Sequence, residues 1–485
     1  MIMKARSRWV MNWDEVAVFD ENATSMGIDE IELMRAAGES LAEAASAMAE
    51  SGEILFLCGP GNNGGDGFVA SCSGLLSGRT EVVASHPSSK SEPSSAAREE
   101  AHKSVGINLW PSVPKGDWAL VVDCLLGAGG SGPGTNLRPP ISEVAEWAKS
   151  LDTPVLACDL PTGMGGPDCL VADRTLTFHS LKKGMHSPDC GEVVVSDLPW
   201  PDEVQDCGRG DSARYPPLQE GARKGDRGRL LVIGGGPYHG APILSGLAAA
   251  RSGCDLVHVA IPSSAAGRLE WPASLIPEVL PEDHHLTMLS VTVLEKILES
   301  GRAPDAIVIG PGLGREAGTM EAVRAILELA SSKPVPVVVD ADAIDALPEG
   351  TWPAGLEGVA TPHQGEADRW LGEVRPSEAI SGCSEESSTI VVTGPQDQLT
   401  GPGGRQCLAT GGHPRMAVGG TGDILAGTIG GLMAQGMSPW SAARLGCALL
   451  REAGNRAAEE KGPGLLAEDV PVHIAHTLSE WTGDE

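Results

Sequence analysis

The sequence predicts an α/β protein made of two doubly wound domains, and three observations support this prediction. Short apolar runs alternate with helical stretches along most of the 485 residues, as expected of buried parallel strands that are joined by helices. A stretch rich in proline and charge, 198–224, interrupts this alternation and is predicted to be a linker. The chain is also too long for a single ordinary core, for which roughly 100–200 residues are typical. We therefore place the first domain at residues 1–210 and the second at residues 211–485.

The first domain is predicted from three apolar runs, Ile54–Cys58, Leu120–Asp123 and Pro154–Asp159. Two of these runs end in Asp, and the other continues directly into a glycine-rich turn. In doubly wound sheets the ligand lies at the carboxyl ends of the parallel strands. We therefore expect the chemistry of this domain at those ends, with Met34–Met48 forming one of the covering helices.

The second domain is predicted from the strand-like runs that follow the interruption. These runs are Arg229–Ile233, Ala306–Ile309, Val335–Asp340, Val359–Thr361 and Thr389–Thr393. Helical stretches lie between most of them. This alternation predicts a second doubly wound sheet.

The composition limits the class of function. A net charge of −30 argues against nucleic-acid binding, because most of the surface would repel a phosphate backbone. A nucleotide ligand stays open, since backbone amides at helix N-termini bind phosphate without a basic surface. The 11 cysteines include no C-x-x-C pair, and no stretch approaches the roughly 18 apolar residues of a membrane span. We expect a cytoplasmic protein that binds neither nucleic acid nor membrane.

The first candidate site begins at Gly59–Gly64, which matches G-x-G-x-x-G between a predicted strand and an apolar stretch. That context is typical of a pyrophosphate-binding turn, and the alternative is a tight turn with a purely structural role. The run continues through Gly65 and Asp66, and a dinucleotide turn does not need the paired Asn residues or the Asp. At another strand end, Asp159 is either a group that handles a proton or a carboxylate that caps a turn.

Three further residues suggest a cation site. Asn63, Asp123 and Thr162 lie at the ends of three different predicted strands. If those strands are neighbours, their side-chain oxygens converge on a hard monovalent cation.

The second candidate site is the segment Gly419–Asp423, which opens the apolar helix predicted over Ile424–Met433. Consecutive glycines leave the amides of the first helical turn accessible, and this end of a helix favours an anion. A carboxylate at Asp423 repels phosphate unless it accepts a hydroxyl proton during phosphoryl transfer. The alternative is an acidic residue that only stabilises the helix N-terminus. His363 follows another strand and is either a packed residue or a ligand contact.

With both sites considered, the chain resembles the bifunctional NAD(P)HX repair enzymes, the YjeF-type family. The resemblance covers roughly residues 10–201 and 221–477. In the first domain it rests on Gly59–Gly67, Val122–Gly129, Asp159–Gly163, Ala172–Phe178 and Lys183–Gly184. In the second it rests on Gly310–Gly314, Val339–Ala343, Thr361–Glu366 and Gly419–Asp423.

This resemblance implies a Rossmann-like N-terminal domain that epimerises R and S NAD(P)HX. It also implies a ribokinase-like C-terminal domain that dehydrates S-NAD(P)HX to NAD(P)H with ADP or ATP. K⁺ in the epimerase domain, Mg²⁺ with the nucleotide and a homo-oligomeric assembly are implied as well. The substrates are small molecules, namely NADHX, NADPHX and an adenine nucleotide.

The resemblance also implies roles for individual residues. Asp423 is the expected base of the dehydratase, and Asp159 is the expected catalytic group of the epimerase. The hydrated nucleotide is expected to contact Asn62, Asn63, Gly64, Gly65, Asp66, Gly127, Ala128, Gly129, Gly130, Ser131, Gly132, Pro133 and Asp159, and in the second domain Ala241, Gly314, His363 and Asp423. The adenine nucleotide is expected at Thr393, Gly394, Pro395, Gln396, Asp397 and Gly422, and K⁺ at Asn63, Asp123 and Thr162.

The chain departs from the family pattern at Thr393, where a lysine is usual. Either one phosphate contact is missing, or Lys224 or Arg415 supplies it. Two other classes of function stay open at this stage. One is a ribokinase-like kinase that releases a phosphorylated product, and the other is a first domain that only binds ligands or partners.

Overall fold

A computed structural model describes residues 8–129, 134–268 and 270–483. The chain divides into two compact units, the first ending at Val204 and the second beginning at Gln205. Within the described ranges, no helix is both long enough and apolar enough to cross a bilayer.

The first unit is a parallel sheet with helices packed against it. Its elements are α1 (Trp13–Ser25), α2 (Glu30–Met48), β1 (Glu53–Cys58), α3 (Asn62–Ser71), β2 (Thr80–Ala84), α4 (Glu92–Ser104), β3 (Asn108–Leu109), β4 (Trp118–Cys124), α5 (Ile141–Lys149), β5 (Val155–Cys158), β6 (Arg174–Phe178) and β7 (Glu192–Ser196). The described strands lie in the order β3-β2-β1-β4-β5-β6-β7, and all adjacent pairs are parallel. The three strands predicted from the sequence, β1, β4 and β5, are therefore neighbours at the centre of the sheet.

Burial explains why these three strands could be recognised. β5 is buried over its whole length and β1 over all but its first residue, because helices cover both faces of the central sheet. Helix α2 packs its buried positions Met34, Leu41 and Ala45 into the same apolar cluster as β1. It begins four residues before the predicted start because the Asp29 side chain accepts a hydrogen bond from the Ile31 amide and caps the helix.

The second unit is a larger sheet of mixed direction. Its elements are β8 (Arg229–Ile233), α6 (Ala241–Arg251), β9 (Leu256–Pro262), α7 (Ser263–Ala266), β10 (Leu275–Leu280), α8 (Met288–Leu298), β11 (Ala306–Ile309), α9 (Ala317–Ser332), β12 (Val337–Val339), β13 (Gly358–Ala360), α10 (Gln364–Leu371), α11 (Pro376–Ala379), β14 (Ser388–Val392), β15 (Asp397–Thr400), β16 (Gln406–Ala409), α12 (Thr421–Ala434), α13 (Pro439–Lys461) and α14 (Val470–Thr482). The described strands lie in the order β10-β9-β8-β11-β12-β13-β14-β15-β16. They are parallel up to β14, and β15 and β16 add an antiparallel edge. The prediction of two doubly wound α/β domains is confirmed.

Part of the predicted linker 198–224 belongs to the core of the second unit. Residues 209–214 form a 3₁₀ turn in which the Asp211 carboxylate is fully buried. Arg444 on α13 donates from Nε to Asp211 Oδ1 at 2.6 Å and also donates to the backbone carbonyls of Gln205 and Asp206. The prediction of a linker was wrong for these residues, because proline and charge content does not reveal a buried ionic partner more than 200 positions away.

Candidate active sites

The Asn62–Asp66 run of the first unit forms the start of helix α3, directly after β1. An ideal Cβ on Gly64 would lie 2.0 Å from the carbonyl oxygen of Gly59, so only glycine allows the loop to pack this closely on itself. Gly64 and Gly65 are buried in this turn, whereas Asn62 is exposed. The glycines are thus needed for the turn. Of the polar side chains between them, Asn62 accepts a hydrogen bond from the Ser91 hydroxyl, and the buried side chain of Asn63 has no partner among the described residues.

A cavity of about 570 Å³ lies at the carboxyl ends of the strands of this unit. Its volume is within the range of roughly 300–1,000 Å³ that is usual for small-molecule sites. Among the residues expected to contact the hydrated nucleotide, it is lined by Asn62, Asn63, Asp66, Gly127, Ala128, Gly129 and Asp159. It is also lined by Asp20, Lys90, His179 and Lys182, which the sequence did not single out as site residues. Gly130, Ser131, Gly132 and Pro133 lie outside the described residues.

Asp159 directly follows β5 and has a left-handed backbone with φ 61°, which directs its carboxylate into the cavity wall. Its Oδ2 accepts a hydrogen bond from the Ala128 amide at 2.8 Å. Its Oδ1 accepts from Lys182 Nζ at 2.7 Å and from Thr177 Oγ1 at 3.1 Å. Burial opposes ionisation, but the Lys182 ammonium and these hydrogen bonds outweigh it and lower the pKa of Asp159. The group is therefore held as a carboxylate.

Lys182 was missed from the sequence, although it directly precedes the Lys183–Gly184 motif. Its side chain is only 3% exposed and also donates to Thr177 Oγ1 at 2.7 Å and to the Phe178 carbonyl at 2.9 Å. The pKa of Asp66 is shifted in the opposite direction to that of Asp159. Burial, followed by the negative charges of Asp159 and Asp20, raises its pKa well above the usual range for a carboxyl group.

Of the three residues predicted for the cation, Asp123 and Thr162 are in direct contact, as expected of strands that are neighbours. Asp123, at the end of β4, accepts from the Thr162 hydroxyl and amide, both at 2.8 Å, and from the Leu125 amide at 3.1 Å. An ideal Cβ on Gly127 would lie 3.1 Å from Asn63 Oδ1 and 3.0 Å from Asp159 Oδ2, so both side chains converge on this glycine. The buried Oδ1 and Nδ2 of Asn63 have no hydrogen-bond partner within the described part of the chain. A buried amide without a partner is an observation that a bound cation would explain, because an amide oxygen is a ligand that hard cations accept.

In the second unit, Asp423 lies in the first turn of helix α12. Gly420, at the N-cap, has the left-handed φ of 101° that begins this turn. Loss of hydration and then the negative charge of Asp342 raise the pKa of Asp423 to about 6. The carboxylate is thus ionised at neutral pH yet basic enough to accept a proton.

Two other carboxylates stand beside Asp423 at the end of β12. Asp340 is buried, and its Oδ1 accepts from the Thr361 hydroxyl at 2.7 Å; burial and then the charge of Asp423 raise its pKa well above the usual range. Asp342 Oδ2 accepts from the Gly314 amide at 2.9 Å and so holds the turn that was predicted to contact substrate. Neither Asp340 nor Asp342 was singled out as a site residue.

His363 is neither packed in the core nor free. It is the N-cap of α10, and its Nδ1 accepts from the amides of Gly365 and Glu366 at 3.0 and 3.3 Å. Its side chain is nevertheless 61% exposed, with Nε2 3.4 Å from a Glu366 oxygen. The Nδ1 edge of the ring is thus fixed by the N-terminus of α10, and the Nε2 edge is accessible to a ligand.

The turn Thr393–Asp397 is held by Arg451 of α13, another residue that the sequence did not reveal. Arg451 Nε donates to Asp397 Oδ2 at 2.9 Å, and other guanidinium nitrogens donate to the carbonyls of Gly394 and Pro395 at 3.0 Å. Thr393 itself donates its amide to the Pro362 carbonyl at 2.8 Å. All these nitrogen donors bind oxygen atoms of the protein itself. The arrangement therefore positions the turn and does not supply the phosphate contact of the lysine that is usual in the family.

Lys224 cannot supply the missing phosphate contact. It lies in the turn before β8, where Gly228 packs against the carbonyl of Ala434 at the C-terminal end of α12. Asp423 lies in the first turn of this helix, 11 residues before Ala434 and therefore about 17 Å away along its axis. Arg415 lies four residues before Gly419, and its Nε donates to the Pro463 carbonyl at 2.6 Å. Ala241, which is expected to contact the hydrated nucleotide, begins α6, and Gly422, which is expected to contact the adenine nucleotide, is exposed beside Asp423.

Comparisons with known proteins match both units. Residues 30–184 match the family described as YjeF-related protein N-terminus, and residues 230–475 match the family described as NAD(P)H-hydrate dehydratase. The bifunctional NAD(P)H-hydrate repair enzyme Nnr of Hyperthermus butylicus is 35% identical over 96% of this chain and 91% of the relative. The corresponding enzyme of Salinibacter ruber is 32% identical over 94% of both chains.

Solved structures resemble the second unit. An ADP/ATP-dependent NAD(P)H-hydrate dehydratase from Bacillus subtilis, co-crystallised with ATP and Mg²⁺, is 24% identical, with a TM-score of 0.46 over 56% of this chain and 96% of that chain. A ribokinase-like superfamily protein from Enterococcus faecalis is 26% identical, with a TM-score of 0.46 over 56% of this chain and 93% of that chain. With relatives matching over nearly the full length of both chains, this chain belongs to the family of bifunctional NAD(P)H-hydrate repair enzymes.

Proposed function

We propose that the chain repairs hydrated NAD(P)H through two activities, epimerisation by residues 1–210 and ADP- or ATP-dependent dehydration by residues 211–485. Membership of the family supports this division, because each family description matches one of the two units. The observation that carries the proposal is the position of Asp423, a carboxylate with a pKa of about 6 in the first turn of a helix that begins with Gly419–Gly422. A small-molecule kinase is disfavoured, because it leaves the first unit without a task.

In the proposed dehydration, Asp423 accepts the proton of the ring hydroxyl of the S hydrate. The hydroxyl oxygen attacks the terminal phosphoryl group of the nucleotide, and the bond to the bridging oxygen breaks. The lone pair of the ring nitrogen then expels phosphate, a far better leaving group than hydroxide, and the adjacent carbon loses a proton to restore the double bond. The amides of the Gly419–Gly422 turn stabilise the charge that develops during transfer.

The adenine nucleotide is proposed to lie against Thr393–Asp397 and Gly422, with the hydrate against Ala241, Gly314 and His363. These residues follow neighbouring strands or begin helices at the same edge of the sheet. Mg²⁺ is proposed to arrive with the phosphates. Among the described residues no group of three or more His, Cys, Asp or Glu side chains is arranged to hold a metal on its own, and Mg²⁺ commonly takes its ligands from phosphates and water.

In the first unit, the hydrate is proposed to bind in the 570 Å³ cavity, against Asn62–Asp66 and the loop that follows β4. Asp159 is proposed as a catalytic group at the hydrated carbon. Its ionised carboxylate stabilises positive charge on the nicotinamide ring when the hydroxyl departs. Self-association and a cytoplasmic location stay predictions.

K⁺ is proposed to bind Asn63, Asp123 and Thr162, where it would supply fixed positive charge at the substrate cavity. Loss of hydration, partly offset by hydrogen bonds from Thr162 and Leu125, raises the pKa of Asp123 to about 6, so a cation there stabilises its ionised form. We expect KCl to raise the thermal unfolding temperature of the chain more than choline chloride at equal ionic strength. Asn63→Ala should remove that difference, and a K⁺ effect of unchanged size in this variant would contradict the proposed site.

The proposed dehydration is tested with the variant Asp423→Asn. We expect recovery of absorbance at 340 nm from S-NADHX and ADP or ATP to fall by roughly 100-fold or more, because a positioned base contributes about 10²–10⁴-fold. Nucleotide binding should persist, since the Gly419–Gly422 amides are unchanged. In the wild type, kcat/KM should fall as the pH drops below about 6, where Asp423 becomes protonated. Accumulation of a stable phosphorylated hydrate in the wild type would favour a kinase instead.

A further inference from the structure

Asp20 is a carboxyl group in the wall of the substrate cavity that the proposed mechanism does not use. It lies on α1 and shares this cavity with Asp159, Lys182 and the proposed hydrate-binding residues Asn62 and Asn63. Its side chain is open to the cavity. Among the described residues no hydrogen bond to its carboxyl group is present, whereas the carboxylate of Asp159 accepts three. Asp20 is therefore free to exchange a proton with a bound ligand.

The charges around the cavity give Asp20 and Asp159 different protonation states. Loss of hydration in the cavity and then the negative charge of Asp159 raise the pKa of Asp20 to about 7; Glu30 adds to this, and Lys182 opposes it. Lys182 holds Asp159 ionised. Two carboxyl groups in one cavity whose surroundings push their pKa values apart are the usual arrangement of an acid and its charged partner.

We propose that Asp20 is a second catalytic residue of the epimerisation, whose neutral carboxyl group protonates the departing hydroxyl of the hydrate. The assignment rests on the proposed epimerase function of the first unit. The ring nitrogen pushes its lone pair into the bond to the hydrated carbon, the carbon–oxygen bond breaks and water forms. Asp20 becomes a carboxylate, and Asp159 stabilises the cationic ring. Water then adds to the opposite face and releases a proton, which a chain of water molecules around the ring returns to Asp20, so that protons and charge balance over the cycle.

The other titratable groups that line the cavity fit this role less well. Asp66 has a pKa well above the usual range and does not readily give up its proton. Loss of hydration and then the charge of Arg8 lower the pKa of His179 to about 4, and its Nδ1 accepts from Trp200 Nε1 at 3.0 Å, so it is neutral without a free proton at that nitrogen. Lys182 is engaged by Asp159, Thr177 and Phe178. Glu21, Glu30 and Lys90 also line the cavity, and Glu30 accepts a hydrogen bond from the Thr24 hydroxyl.

The test uses the full chain and pure S-NADHX without ADP or ATP, and it follows the appearance of the R epimer by chromatography. We expect Asp20→Asn to lower the rate of epimerisation roughly 100-fold, the contribution typical of one general acid. In the wild type, the rate should fall as the pH rises through about 7, because Asp20 loses its proton. This descending limb of the pH–rate profile should be absent in the variant. Asp14→Asn is the matched control, since this exposed carboxylate lies on the same helix outside the cavity.

Three results separate the interpretations. If Asp20→Asn epimerises at the wild-type rate, the assignment is overturned. It is also overturned if the variant is slow but its rate still falls as the pH rises through about 7, since that pattern indicates a structural role. Partial recovery of both rate and limb in Asp20→Glu supports it, because this variant restores the acid on a longer side chain. A wild-type chain that exchanges epimers no faster than buffer alone overturns the proposed epimerase function together with the role of Asp20.

Discussion

Three aspartates of this chain show how the surroundings of a side chain decide what it can do. Asp159 is held ionised by Lys182, Asp423 has a pKa of about 6, and Asp340 has a pKa well above the usual range. Burial disfavours the charge in all three cases, and only Asp159 has a cation within hydrogen-bond distance to reverse the effect. We therefore propose three different roles for the same residue type: a fixed charge for Asp159, a base for Asp423 and a neutral partner for Asp340.

The pairing of Lys182 with Asp159 is testable by substitution. We expect Lys182→Met to slow epimerisation by roughly 100-fold, because Asp159 loses the charge that keeps it ionised. The pKa of Asp159 should then be higher. As the pH is lowered, the epimerisation rate should therefore begin to decrease at a higher pH than in the wild type. Lys183→Met is the matched control, since Lys183 is exposed beside it. An unchanged rate and pH profile in Lys182→Met would show that the pair is not needed.

At the scale of elements, helix α12 concentrates the features of the second site. Its N-terminus carries Asp423 and the glycine turn, and its body is buried, because Gly427, Gly430 and Gly431 let α6 and the sheet approach closely. An ideal Cβ on Gly427 would lie 2.0 Å from the Ser245 carbonyl oxygen. This packing fixes the helix, and it therefore fixes the direction in which the first-turn amides point.

Gly420 is the position at which this turn is most sensitive. We expect Gly420→Ala to raise the KM for the nucleotide, for two reasons. A backbone φ of 101° costs a residue with a Cβ about 1–2 kcal/mol, and the new Cβ would lie 2.6 Å from Leu244 Cδ1. Gly419→Ala is the comparison, since its Cβ would meet no atom within 4 Å and its φ is not left-handed. Steady-state kinetics of the dehydratase should show a clearly larger effect for Gly420→Ala; equal effects would argue against a role for backbone strain.

At the scale of the whole molecule, each unit has its own sheet and its own candidate site. The cavity with Asp159 is lined entirely by residues up to Trp200, and the residues assigned to the site of Asp423 all lie beyond residue 240. The first unit is proposed to convert R-NAD(P)HX into the epimer that the second unit consumes. One site can thus be inactivated while the other continues to work.

This separation predicts the behaviour of a mixture of R and S hydrates. With ADP or ATP, the wild-type chain should restore the absorbance at 340 nm completely. Asp159→Asn should restore only the fraction that corresponds to the S epimer, with a normal initial rate, since Asp423 is unaffected. Any slow later rise should match the exchange seen without protein. Full recovery at the wild-type rate in Asp159→Asn would contradict the proposed role of Asp159.

The sequence by itself predicted the class of fold, the central strands of both sheets and the glycine turns at their ends. These features are local: an apolar run buried on both faces and a glycine turn are visible in a few consecutive residues. Arg229–Ile233 and Ala306–Ile309 were predicted with the bounds that the structure shows. Strand β7 was missed because none of its residues is buried and its apolar run is only three valines long.

Only the tertiary structure decided which side chains meet. Lys182 reaches Asp159, Arg451 holds Asp397, and Arg444 pairs with the buried Asp211 inside a stretch predicted to be a linker. Burial raises the pKa of Asp340 and of Asp423, and loss of hydration inside the cavity raises the pKa of Asp20. The partners in these ion pairs lie 23 to 233 positions apart. Charge pairing and desolvation depend on distance in space, so they exist only once the sheets and their helices have brought those positions together.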